Sequence, residues 1–208
     1  MIRVAPYLCA VFVGALLQGL SLTRISGQPV LPAPANGSVC ATTNTKLIDA
    51  KEEYRKLCLD CHGANGQGSE DAYEIRHPSR KYSTWVLRNG RSSIEFGDSE
   101  MPAFDEKELS SAKANAIWDW LASIPQPQTG LAIYRDYCGN CHGPKGRGGF
   151  TGKKVIGKEY GDIKEKCRKG KGGTSYGNRT KYMPSWTSKT LSDDMLKRIA
   201  QYLKGLDN

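Results

Sequence analysis

An all-α protein made of two tandem small helical domains is what this sequence predicts, and three observations carry the prediction. A segment of about eighty residues occurs twice, with its landmarks in the same order. Each copy closes on an amphipathic pattern at helical spacing. No strand–helix alternation precedes either of two close cysteine pairs, and glycine-rich polar stretches separate the helical patterns.

The repeat is read from residue to residue. Tyr54-x-x-x-Cys58-x-x-Cys61-His62-Gly63 returns 80 positions later as Tyr134-x-x-x-Cys138-x-x-Cys141-His142-Gly143. Leu87-Arg88-Asn89-Gly90 returns as Cys167-Arg168-Lys169-Gly170 at the same offset. Met101-Pro102-Ala103-Phe104 returns as Met183-Pro184-Ser185-Trp186 at an offset of 82, as do Leu109 at Leu191 and Trp120-Leu121 at Tyr202-Leu203. One two-residue length change between the glycine and the methionine reconciles the copies.

The elements follow in order. A first helix runs into each cysteine pair, over residues 46–59 and 131–139. A short second helix covers 82–88 and 161–168. A loop then carries Met-Pro. In the last helix, Leu109, Ala112, Ala116, Ile117, Trp120 and Leu121 recur at helical spacing in the first copy. Leu191, Met195, Ile199, Tyr202 and Leu203 do so in the second. Ser192-Asp193-Asp194 suits a helix start. The linker Pro125-Gln126-Pro127-Gln128-Thr129-Gly130 is short, so the copies are expected to sit close together.

The boundaries expected are 1–27 for a signal peptide or N-terminal anchor, 28–44 for a proline- and alanine-rich tether, and 45–126 and 127–208 for the two domains. Arg3 precedes an apolar run from Ala5 to Leu17, and Gly19-Leu20-Ser21 offers a small-x-small cleavage site, with Ser26-Gly27 a weaker one. The run is about as long as a short membrane span, so an uncleaved anchor is the alternative. Either reading sends the rest of the chain across the inner membrane. Such small domains bury a marginal core and commonly rely on a metal, a disulfide or a cofactor.

Cys-x-x-Cys-His is the attachment pattern of c-type haem. Two cysteines three apart can bond to the two vinyl-derived positions of one porphyrin, and the adjoining histidine then lies under the iron. Cys58 and Cys61 with His62, and Cys138 and Cys141 with His142, therefore predict two covalently bound haem c groups. One zinc shared by four cysteines, or a thioredoxin-like pair, is the competing chemistry. Both fit poorly: a histidine follows each pair directly, and the pairs lie in complete repeats.

A second axial ligand is sought next. A methionine thioether is soft, suits iron and raises the reduction potential relative to a second histidine. Met101 and Met183 lie 39 and 41 residues after their histidines, each before a proline and three positions before an aromatic residue. Met195, at helical spacing, reads as core filler. His77 reads as a loop residue, with a distal role at the first haem as the alternative. Seven cysteines argue against a simple disulfide framework. Cys9 falls in the apolar run. Cys40 and Cys167 either pair with each other across the tether, or Cys167 is a small buried residue where the first copy has Leu87.

On these residues each copy resembles a small class I cytochrome c domain, and the pair resembles the dihaem cytochromes c of the bacterial periplasm, over residues 45–208. The resemblance implies that His62 and Met101, and His142 and Met183, are the axial iron ligands. It implies that Gly130 and Tyr134 pack on Tyr202, and Ala50 and Tyr54 on Trp120. It also implies a proline carbonyl bonded to the axial histidine, for which Pro78 serves the first copy and the second has no clear equivalent.

Charge separates the copies. Residues 45–126 carry 11 cationic and 14 anionic side chains, and residues 127–208 carry 17 and 7, within a net charge of +9 for the chain. A basic second domain either presents a solvated face or steers an acidic redox partner. An anionic membrane surface is a further attractor, and nucleic acid is not expected for an exported chain. The expected function is an electron carrier between redox partners in the bacterial periplasm, in a respiratory or oxidative chain, and not an enzyme. The alternative is a dihaem redox enzyme or the haem subunit of a larger oxidoreductase complex.

Overall fold

Helix formation follows the sequence signals closely in this computed structural model, which describes residues 48–92 and 100–206. The expectations for the export segment, the tether, Cys9 and Cys40 lie outside the described residues. In the first repeat, α1 (Ala50–Leu57) starts where the Asp49 carboxylate accepts from the Glu52 amide, with Glu52 and Glu53 in its first turn. The chain breaks at Cys58 and resumes as α2 (Leu59–His62). Then come α3 (Arg80–Asn89) and α4 (Ser111–Ser123), the latter capped by Ser110. In the second repeat, α5 (Gly130–Tyr134) runs through a π-helical turn (Arg135–Gly139) into α6 (Asn140–His142). Next are α7 (Tyr160–Lys169) and α8 (Asp193–Gly205). Ser192 caps α8 by accepting from the Met195 amide, as its position predicts.

The described chain is all-α: its extended pairing is limited to two isolated antiparallel bridges, Arg91 with Met101 and Lys171 with Met183. Each repeat has its own apolar core. Tyr54, Leu87, Leu109, Ile117 and Leu121 form the first; Ile133, Tyr134, Cys167, Leu191, Leu196, Ile199 and Leu203 form the second. Cys167 is 3 % exposed and takes the place that Leu87 takes in the first core, so it serves as a small apolar side chain.

First and last helices of each repeat cross, and an aromatic pair marks each crossing. Tyr54 and Trp120 have ring centroids 4.8 Å apart, and Tyr134 and Tyr202 are 5.5 Å apart. At Gly130 a side chain would meet the carbonyl oxygen of Arg198 and the Cβ of Tyr202, the latter at 2.9 Å. Glycine is therefore what lets α5 touch α8.

Both repeats lie in one compact unit, Thr45–Asn208. The junction between them combines ion pairs, hydrogen bonds and aromatic stacks. Arg76 donates to Asp136 at 2.6 Å, Arg135 pairs with Glu74 at 2.5 Å, and the Tyr137 hydroxyl donates to Gln126 at 2.8 Å. His77 stacks on Tyr137 with centroids 5.6 Å apart. Burial pushes the Asp136 carboxyl up to about 6, although Arg76 opposes it.

Candidate functional site

Two cavities lie beside the two Cys-x-x-Cys-His segments, one per repeat. The first, of about 230 Å³, is lined by Cys58, Cys61, His62 and Met101, with Phe104 and Trp118 among its walls. The second, of about 560 Å³, is lined by Cys138, Cys141, His142 and Met183, with Trp186 and Tyr134 among its walls. Each cavity thus gathers two thiols, one imidazole and one thioether on largely apolar walls. His77 is a loop residue, as expected, but it is only 3 % exposed and lines the second cavity, not the first.

Local folding places each of these side chains. The short helices α2 and α6 end at His62 and His142, and Gly63 and Gly143 follow with positive φ. The hydroxyls of Tyr54 and Tyr134 each reach the carbonyl of that glycine at 2.6 Å, tying the first helix of the repeat to the end of the motif. His62 Nδ1 bonds the Tyr73 carbonyl at 3.1 Å, and His142 Nδ1 bonds the Lys153 carbonyl at 2.7 Å. A carbonyl partner makes Nδ1 the protonated nitrogen and leaves Nε2 with its lone pair free for a metal.

These bonds correct the expectation built on Pro78. Tyr73, not Pro78, supports His62, and the second repeat does have its equivalent, Lys153, exactly one 80-residue repeat later in sequence. A main-chain carbonyl needs no proline, so the side-chain sequence carried no sign of it. Only the repeat offset connects the two positions.

The methionines are held by backbone. Arg91 and Met101 exchange two amide–carbonyl bonds of 2.8 and 2.9 Å, and Lys171 and Met183 do the same at 2.8 and 2.9 Å. Gly90 and Gly170 precede these bridges with φ of 66° and 63°, and a Cβ there would press on the Met101 and Met183 carbonyl oxygens at 2.6 and 2.9 Å. One residue further back stand Asn89 and Lys169, and before them Arg88 and Arg168, whose role sequence reasoning missed. Arg88 donates to the carbonyls of Phe104 and Leu109 at 2.9 and 2.8 Å. Arg168 donates to those of Trp186 and Leu191 at 3.0 and 2.8 Å. Each arginine pins the chain that follows Met-Pro onto the second helix of its repeat. The signal was present, since the arginine recurs in Leu87-Arg88-Asn89-Gly90 and Cys167-Arg168-Lys169-Gly170, but a cation repeated in both copies is indistinguishable from a solvated one without its acceptors.

Electrostatics favour uncharged donors. Burial lowers the basicity of both His62 and His142, keeping the imidazoles neutral, the form that binds a metal. Burial pushes the Cys58 thiol up to about 12 and the Cys138 thiol well above its ordinary value. Cys58, Cys61, Cys138 and Cys141 are free thiols, and the two pairs stand in separate cavities, which is at odds with one shared four-cysteine zinc. Among the described residues no cluster of three or more His, Cys, Asp or Glu side chains is arranged for a metal ion. The donor set of each cavity fits a haem: two thiols on one wall for the porphyrin edge, an oriented imidazole, a methionine, and aromatic walls for its faces.

Comparison with known proteins agrees with the repeat. The family model described as cytochrome c oxidase, cbb3-type, subunit III matches twice, over residues 46–121 and 125–203. No curated protein matches. Among solved structures, a chain of the Kuenenia stuttgartiensis reducing HAO-like protein complex Kustc0457/Kustc0458 is 22 % identical, covering 76 % of this chain and 94 % of that one. Its TM-score is 0.25, so it carries no argument about fold or role.

Proposed function

This chain belongs to the family of cytochrome c oxidase, cbb3-type, subunit III, and from that premise we propose that it is a dihaem electron carrier working outside the cytoplasm. Membership makes it a haem-binding electron-transfer protein with cytochrome c domains. The finer reading gives it two covalently attached haem c groups, one per domain, with domains at 45–126 and 127–208. Cys58 and Cys61 would hold the first and Cys138 and Cys141 the second. His62 with Met101, and His142 with Met183, would ligate the irons. The observation that carries this reading is the gathering of those four donors at each of two cavities.

Bound haem supplies a one-electron couple; the chain supplies position, potential and docking. His62 and His142 are aimed by main-chain carbonyls. Met101 and Met183 are fixed by a two-bond bridge, and a thioether on that side favours the reduced state relative to a second imidazole. His62 with Met101, and His142 with Met183, would fill both axial positions of each iron, so the chain is read as a carrier and not as an enzyme in its own right. The family name favours a second role for the same chemistry, as the haem subunit of a larger oxidoreductase. Redox titration followed by optical spectroscopy tests the carrier reading. Two one-electron waves, both low-spin and both with the band of methionine–iron ligation, are expected. A resting high-spin signal would count against it.

Localisation is proposed as periplasmic, soluble or tethered. Among the described residues no helix is long and apolar enough to cross a membrane.

For partners, the second cavity is ringed by Lys153, Lys154, Lys158, Lys166, Lys171 and Lys181; of the four carboxylates in its lining, Glu74 and Asp136 are paired with Arg135 and Arg76, which leaves Asp162 and Glu165 as the opposing charges. An acidic redox protein is the partner this rim suits. Raising ionic strength from about 10 mM to about 150 mM shortens the Debye length from roughly 30 Å to roughly 8 Å, so the rate of electron exchange with that partner is expected to fall about tenfold or more. A flat dependence removes the steering role.

A further inference from the structure

The two cavities have a wall in common. Tyr82, Ser83 and Asn140 line both, Tyr82 and Ser83 from α3 of the first repeat and Asn140 from between the cysteines of the second. Arg91 organises that wall. Its backbone holds Met101 through the bridge of 2.8 and 2.9 Å. One terminal nitrogen of its guanidinium donates to the Tyr82 hydroxyl, and the other donates to Asn140 Oδ1 at 3.1 Å. Arg179 donates to the same oxygen at 2.7 Å, from the segment that leads to Met183. The Tyr82 ring stacks on Tyr182, the residue before Met183, with centroids 5.0 Å apart. Bonded or stacked contacts thus run from the Met101 segment through Arg91 to the Cys138–Cys141 segment, and through Tyr82 to the Met183 segment.

This arrangement is absent from the shared plan of the repeats. At an offset of 80, Tyr82 corresponds to Asp162, Arg91 to Lys171, and Asn140 to Asp60. A feature of the single-domain plan would recur in both copies; this one occurs once, at the place where the copies meet.

Resting on the dihaem reading above, we infer that Tyr82, linked through Arg91 to Asn140, is the element through which the two centres exchange electrons. The step moves one electron from one centre to the other, oxidising the first and reducing the second, with no proton moved and no bond made or broken. An aromatic ring and a hydrogen-bonded side chain in place of water between the sites also leave little to reorganise when charge moves.

The test is pulse reduction of the fully oxidised holoprotein to less than one electron per chain, with the spectral re-equilibration between the two haems followed in time. Tyr82→Phe keeps the ring and removes the hydroxyl held by Arg91; the exchange is expected to slow about threefold. Tyr82→Leu removes the ring as well, and about tenfold slowing is expected, equivalent to about 1.4 kcal/mol in the barrier. Haem spectra and midpoint potentials serve as controls, since a merely structural role would move those and not the rate alone. Wild-type exchange rates in both variants overturn the inference. If Tyr82→Leu loses a haem, Tyr82→Phe decides by itself. A wild-type chain without two redox waves would instead overturn the dihaem reading, so the two failures are distinguishable.

Discussion

Gly130→Ala is expected to destabilise the second repeat by about 3 kcal/mol, at the upper end of what overpacking costs. The new methyl group has nowhere to go. It meets the main-chain carbonyl of Arg198, which belongs to the hydrogen-bonded interior of α8, and the Tyr202 Cβ at 2.9 Å. Neither can move without separating α5 from α8, and that crossing carries Ile133 and Tyr134 into a core with Leu196, Ile199 and Leu203. Tyr134 in turn fixes Gly143, next to His142. The first repeat gives an internal control: Ala50 stands at the corresponding position, so Ala50→Gly is expected to cost only about 1 kcal/mol, the helix-propensity difference. Denaturant melts of the holoprotein check both. Equal small effects for the two variants would contradict the close approach at Gly130.

The double variant Cys138→Ala with Cys141→Ala is expected to lose one of two haem signals and to unfold the second repeat while the first keeps its own. The physical reason is the cavity of about 560 Å³, which has walls from Val155, Ile163, Trp186, Ile199 and Leu203. A space of that size left without its occupant costs more than the ~5 kcal/mol at the top of the single-residue cavity series, a loss on the scale of a small domain's whole stability. The first repeat keeps Tyr54, Leu87, Leu109, Ile117 and Leu121 as a separate core. Haem content read by optical spectroscopy, together with helical content by circular dichroism, checks the outcome. Retention of both haem signals would show that Cys138 and Cys141 do not attach one.

Most of the fold, and the residues that the structure gathers at the two cavities, were legible in sequence because they depend on local chemistry and on repetition. The 80-residue offset located both histidines and both cysteine pairs. The shift to 82 located Met101 and Met183, and the apolar period located α4 and α8. Helix ends moved by one to four residues, most at Asp49, whose cap starts α1 at Ala50 and not at residue 46. What stayed hidden was set by the main chain and by contacts between repeats. The carbonyls of Tyr73 and Lys153 that orient the histidines have no side-chain signature. His77 looked like part of a polar loop, yet it is buried at the junction, 3.7 Å from the Asp136 carboxylate, and only the packing of one repeat on the other brings them together. The Tyr82–Arg91–Asn140 wall joins residues up to 58 positions apart that belong to different copies, so no period or motif points to it.

Intact-mass spectrometry of the protein recovered from a host that attaches haem c puts the central idea at greatest risk. The polypeptide mass plus two covalently retained haem groups is the expected result, with both adducts surviving denaturation because thioether bonds hold them. A mass equal to the bare polypeptide, or to the polypeptide with a single haem, would contradict it.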